Sequence, residues 1–203
     1  MKRTHAIAFD WGGVLTIGTF DGRTTQSIAA RYDRPLNDVQ KVYFSLVQRL
    51  EVGEWSLERF WDMLSRSLDI EAPFSPFKEL FLDGITANPA MWALLPALRN
   101  EFRLGLLSNN YPEVSAALRQ DESLKIFDAL VFSNEIGAKK PDPRAFAALS
   151  AALGVAPKDT VFVDDTQENL DAAEALGFHG LLFDTLEAFT ERLNAWTRHA
   201  KEM

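Results

Sequence analysis

Ala6-Ile7-Ala8-Phe9-Asp10-Trp11-Gly12-Gly13 is the stretch from which the rest of the chain can be ordered. Four apolar residues closed by an acid read as a strand buried on both faces of a parallel sheet. The two glycines after it let the backbone turn tightly. A carboxylate at such a strand end, beside residues without side chains, can meet a phosphate unobstructed. The plain structural reading of Asp10 is a cap for the turn that follows.

Downstream the same signature repeats. Apolar runs at 102–107, 129–132, 160–163 and 180–183 read as strands. Helical patterns fill 89–98, 111–118, 143–153, 170–176 and 186–196 between and after them. Strands alternating with helices predict an α/β parallel sheet, whose ligands bind at the carboxyl ends of the strands. Those ends carry Asp10, Ser108 and the pair Asp164-Asp165.

From about Thr24 to Leu82 the alternation stops. Val39, Val42, Tyr43, Leu46, Val47 and Leu50 recur at helical spacing, as do Leu57, Phe60, Trp61, Leu64 and Leu68. Gly53 separates the two sets, Ser56 can cap the second, and Pro73 and Pro76 are expected to break the pattern. This predicts an all-helical insert over 19–84, with a core made of 1–18 and 85–203.

The 203 residues suffice for one full core plus a small accessory module. A net charge of −8 makes nucleic acid and anionic lipid poor partners. The same charge repels a phosphorylated ligand, so a phosphate site here needs a local positive centre. The absence of cysteine excludes a disulfide scaffold, a thiolate zinc site and a Cys nucleophile, and is compatible with a cytoplasmic protein. The apolar stretch before Asp10 is too short for a signal peptide or a membrane span.

Adjacent acids at 164 and 165 repel each other unless a cation offsets them, and hard oxygen ligands suit Mg²⁺. Ser108 and Asn109 offer a hydroxyl, an amide and backbone N–H groups to phosphate oxygens, though Ser-Asn is also ordinary turn chemistry. Lys139-Lys140-Pro141-Asp142-Pro143 leads into a helix; a lysine held there can neutralise phosphate and carboxylates, and would otherwise be a solvated loop residue.

Taken together, these motifs resemble those of the haloacid dehalogenase-like hydrolase superfamily, in its order and over nearly the whole chain. Phe9-Asp10-Trp11-Gly12-Gly13-Val14-Leu15 is similar to the first motif, Leu107-Ser108-Asn109 to the second, Gly137-Ala138-Lys139-Lys140-Pro141-Asp142-Pro143 to the third, and Val163-Asp164-Asp165 with Asn169 to the fourth. Lys140 is the better register in the third, because it directly precedes proline. The resemblance implies a Rossmann-like three-layer sheet and a mobile helical cap. It implies a Mg²⁺-dependent phosphatase acting on a small phosphorylated metabolite, such as a sugar phosphate. Asp10 would form an aspartyl-phosphate. Mg²⁺ would sit between Asp10, the Gly12 carbonyl and Asp165, with Asp164 reaching it through water. Ser108, Asn109 and Lys140 would hold the phosphoryl group, and the enzyme would act as a monomer or homodimer.

The sequence departs from that pattern at Gly12, where the family usually carries a second Asp that protonates the leaving alcohol. General acid–base help is worth ~10²–10⁴ in rate. Either a water, a cap residue or the substrate replaces it, as in a branch with Asp-x-Gly and small helical caps, or the chain is a degenerate metal-binding interaction domain. A dehalogenase also lacks the second Asp, but usually lacks the acidic pair too.

Substrate choice is expected from the insert. Arg49-Leu50-Glu51-Val52-Gly53-Glu54 is read as a break facing the site, with Arg49 able to pair a second anionic group. Trp11 is expected beneath the cap, and Thr16 and Asp21 in a flap near the site, where either could supply the polar group missing at Gly12. Trp55, Phe60 and Trp61 read as cap core; His5, His179 and His199 show no metal-ligand spacing.

Overall fold

The computed structural model describes residues 5–18, 20–83 and 86–200, with side chains as far as residue 198. Five strands, β1 (Ala6–Phe9), β2 (Arg103–Ser108), β3 (Ala129–Phe132), β4 (Thr160–Asp164) and β5 (His179–Leu182), form one parallel sheet in the order β3-β2-β1-β4-β5. Alternation of side chains decides the layers. Ile7 and Phe9 pack with Leu106, Val163 and Phe189 on one face, whereas Ala6 and Ala8 pack with Phe146, Leu149, Phe162 and Ala173 on the other. Helices α5 (Pro89–Glu101), α6 (Pro112–Gln120) and α9 (Leu186–Ala200) contribute to the first layer, and α7 (Pro143–Leu153) and α8 (Gln167–Ala175) to the second. The fold is thus the three-layer α/β arrangement expected.

Among the described residues, four α-helices lie between β1 and α5: α1 (Phe20–Tyr32), α2 (Leu36–Glu51), α3 (Leu57–Ser67) and α4 (Phe74–Leu82). Their contacts, α1 with α2, α2 with α3, α3 with α4 and α4 with α1, close a ring. Tyr43, Phe60, Phe77 and Phe81 fill its centre, and Trp61 stacks on Phe77 at 4.4 Å. Trp55 is half-buried beneath the guanidinium groups of Arg49 and Arg59. The expected junctions, 18/19 and 84/85, fall at Thr19, Gly84 and Ile85, which lie outside the described residues. On either side of them the two connections pair: Ile17 N–H donates to Thr86, and Asn88 N–H to Leu15.

Pro73 and Pro76 fall where the helical pattern breaks, between α3 and α4, and they open α4, one at its N-cap and one in its first turn, where the missing proline N–H costs no intrahelical bond. One local expectation is corrected. The segment 49–54 does not break at Arg49, because α2 continues through Glu51 and the reversal comes at Val52 and Gly53, with Gly53 at φ 73°. No described helix is long and apolar enough to cross a membrane.

Candidate active site

Strand register assembles the site. Phe9 is paired with Val163, and the Asp10 N–H donates to the Val163 carbonyl at 2.8 Å, so Asp10 and Asp164 emerge side by side. Lys140 Nζ lies between them, 2.7 Å from Asp10 Oδ1 and 2.7 Å from Asp164 Oδ2, with only 1% of its side chain exposed. Asn169 Nδ2 donates to both Asp164 oxygens at 3.1 Å, and the Thr166 N–H to one of them at 2.9 Å. Asn109 fixes the lysine from behind: its Nδ2 donates to the Lys140 carbonyl, and its Oδ1 accepts from the Lys140 N–H. Through these two bonds the Asn109 side chain braces the lysine loop while it lines the site.

One oxygen each of Asp10, Asp164 and Asp165 lie within 4.8 Å of one another. Three carboxylates around one ammonium leave two negative charges when all are ionised, a deficit that a divalent cation offsets. The Asp10 carboxyl is pushed up to about 7: burial raises it most, Lys140 lowers it, and Asp164 and Asp165 raise it. Asp165 is also raised, by burial and then by Asp164. Burial pulls the Lys140 ammonium down, but Asp10 and Asp164 outweigh it and hold the group above the ordinary lysine value. Gly13 adopts φ 74°, and a Cβ built there would lie 1.9 Å from Asp165 Oδ2. The turn thus needs glycine both for its backbone and for the carboxylate beside it. At Gly12 a Cβ would meet nothing within 4 Å.

These groups share a cavity of about 180 Å³, room for about six waters. The core contributes Asp10, Trp11, Gly12, Ser108, Asn109, Asn110, Tyr111, Lys140 and Asp165; the insert contributes Phe20, Asp21 and Glu51. Of the expected site residues, Asp10, Gly12, Ser108, Asn109, Lys140 and Asp165 line this cavity, and Asp164 is buried against it. Arg49 does not. Its guanidinium lies 5.1 Å over the Trp55 ring, in an outer depression with Gln48, Val52 and Glu54. At 3.6 residues per turn, Glu51 is more than half a turn from Arg49, so only one of them can face the site.

Asp21 lines the cavity from the first turn of α1, not from a flap. Thr16 bonds to the Trp11 and Gly18 carbonyls and staples the turn. Trp11 lines the cavity while its ring packs edge-on against Trp92 of the core. His5 packs against Trp196 and His179 bonds to the Lys158 carbonyl; the His199 side chain lies outside the described residues.

Three participants were not singled out from sequence. Glu51, on the buried side of α2, is ion-paired to Lys139 at 2.5 Å. It stands four residues after Val47 on a stripe of Val39, Tyr43 and Val47, and an acid on an apolar stripe is the signal that marks it. Asn110 is buried; its Oδ1 accepts from the Tyr111 N–H, and its Nδ2 has no hydrogen-bond partner among the described residues. Tyr111 donates to Asp21.

The family model for haloacid dehalogenase-like hydrolases matches residues 4–177. A phosphatase from Mycobacterium tuberculosis is 30% identical over 88% of this chain and 87% of its own length. A predicted hydrolase of the same superfamily from Porphyromonas gingivalis superimposes with a TM-score of 0.79 at 27% identity, covering 97% of this chain and 98% of that one. An enzyme of the superfamily from Bacteroides thetaiotaomicron, crystallised with magnesium and inorganic phosphate, shares the fold with a TM-score of 0.76 at 21% identity, over 89% and 94% of the two chains.

Proposed function

The chain belongs to the haloacid dehalogenase-like hydrolase family as a phosphatase-like member, and from that premise we propose that it hydrolyses a small sugar or polyol phosphate through an aspartyl-phosphate on Asp10. The observation that carries this reading is the single ammonium of Lys140 held 2.7 Å from both Asp10 and Asp164 at the mouth of adjacent strands, with Asp165 beside them. Structural ion pairs do not need a third carboxylate; a site that receives a cation and a phosphate does.

The donor set fits Mg²⁺. Asp10, Asp165 and the Gly12 carbonyl would hold it, with Asp164 reached through water. When bound, the metal supplies the positive charge that phosphate and carboxylates otherwise lack. Lys140 keeps one Asp10 oxygen fixed and shares the charge of the incoming phosphate. Ser108 and the backbone beyond it can donate to phosphoryl oxygens, since among the described residues the Ser108 hydroxyl has only a 3.3 Å contact, to the Asn109 carbonyl. Positioning and charge neutralisation are most of what phosphoryl transfer asks of a protein.

Lys140 is the only cation among the described residues lining the cavity, and it is already shared by two carboxylates. A substrate with a second anionic group finds no partner there. The small cavity and the open Nδ2 of Asn110 favour a compact, hydroxylated leaving group. The insert, which supplies part of the wall, is the cap over that group.

The test is hydrolysis of p-nitrophenyl phosphate with Mg²⁺, with EDTA, and by Asp10→Asn. Turnover that needs both metal and Asp10 is expected. A folded, Mg²⁺-binding protein without turnover would instead be a non-catalytic domain.

A further inference from the structure

An alkyl leaving oxygen needs a proton as its P–O bond breaks, and Gly12 has none to give. The acidic groups on the cavity wall can be sorted by what already holds them. Asp10 and Lys140 hold each other, Asp165 belongs to the metal set, Glu51 is paired with Lys139, and the Tyr111 hydroxyl is spent on Asp21. Asp21 remains. Its Oδ1 accepts from Tyr43 of α2 at 2.6 Å and from Tyr111, while its Oδ2 has no protein hydrogen-bond partner among the described residues. It is half-buried, it lines the same small cavity as Asp10, and it comes from the insert side, where the leaving group must lie once phosphate sits at Asp10 and Lys140.

We propose that Asp21 is the proton donor and acceptor of this site, a role that rests on the phosphatase reading above. In the first step an Asp10 oxygen bonds to phosphorus, the P–O bond to the alcohol breaks, and the Asp21 Oδ2 proton passes to the departing oxygen. In the second, water attacks the phosphorus and gives a proton to the Asp21 carboxylate. The bond to Asp10 breaks with its electron pair returning to the carboxylate, and inorganic phosphate leaves. Burial raises the Asp21 carboxyl above the ordinary carboxylate range, against the pull of Tyr111, Tyr43 and Lys139. The two hydroxyls orient the acid and steady its ionised form between the steps. Glu51, on the same face of α2, is the remaining charged group set against it.

Asp21→Asn is assayed on p-nitrophenyl phosphate and on an alkyl ester such as glycerol phosphate. Nitrophenolate departs without a proton, so the variant is expected to release about one equivalent per site in a burst and then turn over slowly, for want of a base toward water. Alkyl-ester turnover is expected to fall roughly 10²–10⁴-fold with no burst. Tyr43→Phe, which removes one donor to the carboxylate, is expected to move upward the pH at which alkyl-ester turnover declines, because the acid form then persists to higher pH. Alkyl turnover by Asp21→Asn within a few-fold of wild type would overturn the proposal, as would loss of the burst in protein with unchanged circular dichroism, or an unmoved profile in Tyr43→Phe. A wild-type protein inactive on both esters, and indistinguishable from Asp10→Asn, removes the phosphatase reading and this role with it.

Discussion

Gly12 and Gly13 are neighbours with opposite tolerance for a side chain. Gly12 has φ −68° and ψ 131°, an ordinary extended conformation, and open space where a Cβ would go. Gly13 has φ 74° and Asp165 in that place. Gly12→Ala is therefore expected to change stability by less than ~0.5 kcal/mol. Gly13→Ala is expected to cost more than ~1–2 kcal/mol from the left-handed backbone alone and to displace Asp165. Thermal melting and Mg²⁺ titration of the two variants check this, and equal behaviour would show that the turn is not glycine-dependent. The candidate residues most legible in the sequence, Asp10, Ser108, Lys140 and Asp164-Asp165, sit at strand ends or beside a proline, where backbone alone fixes their direction. Arg49 was misplaced because a helix residue faces a direction set by phase, and Glu51 holds the phase that faces the cavity. Asn110 left no mark, since an unpartnered amide nitrogen is a property of packing.

At the scale of elements, α2 ends on the core. The Ser133 hydroxyl donates to the Glu51 carbonyl at 2.5 Å, Lys139 pairs with the Glu51 carboxylate, and the Cβ that Gly53 lacks would lie 2.2 Å from the Asn134 carbonyl oxygen. None of these partners is near α2 in sequence, so the docking was not legible, whereas the helices themselves were, through apolar spacing. Prolines 73 and 76 marked the break before α4, although a proline that ends one helix looks the same in sequence as one that starts another. Burial raises the Glu51 carboxyl despite Lys139, so the pair is asymmetric. Glu51→Gln removes the buried charge and is expected to cost less than ~1 kcal/mol. Lys139→Met leaves a buried carboxylate without its cation and is expected to cost ~1–3 kcal/mol. A carboxyl raised in the folded state binds its proton more tightly there than in the unfolded chain, so stability declines as pH rises through the folded value. The Lys139→Met deficit should hence be larger at pH 8 than at pH 5. Denaturant melts at both pH values decide it, and a larger loss in Glu51→Gln would contradict the ordering.

For the whole molecule, the alternation of strands and helices foretold a parallel sheet but not its order. The order β3-β2-β1-β4-β5, which sets Asp10 beside Asp164, arises from contacts between segments about 150 residues apart. That juxtaposition concentrates negative charge inside a protein that already carries −8, and the consequence is measurable in global stability. Asp10, raised from 3.8 to about 7, binds its proton more tightly folded than unfolded. Between those values the folded state holds more protons, so this group makes stability fall as pH rises, and its penalty is complete above about 7. A divalent cation at the cluster needs the ionised carboxylate and must expel that proton at lower pH. Mg²⁺ should therefore stabilise the protein more at pH 8 than at pH 6. At a hundredfold excess over Kd the gain is ~2.7 kcal/mol, or about 5–10 °C in Tm for a chain of this size. Scanning calorimetry with EDTA or with Mg²⁺ at each pH tests the linkage, and Asp165→Asn should shrink the increment at both. An increment as large at pH 6 as at pH 8 would mean that the cation does not compete with the Asp10 proton, and so that it binds elsewhere.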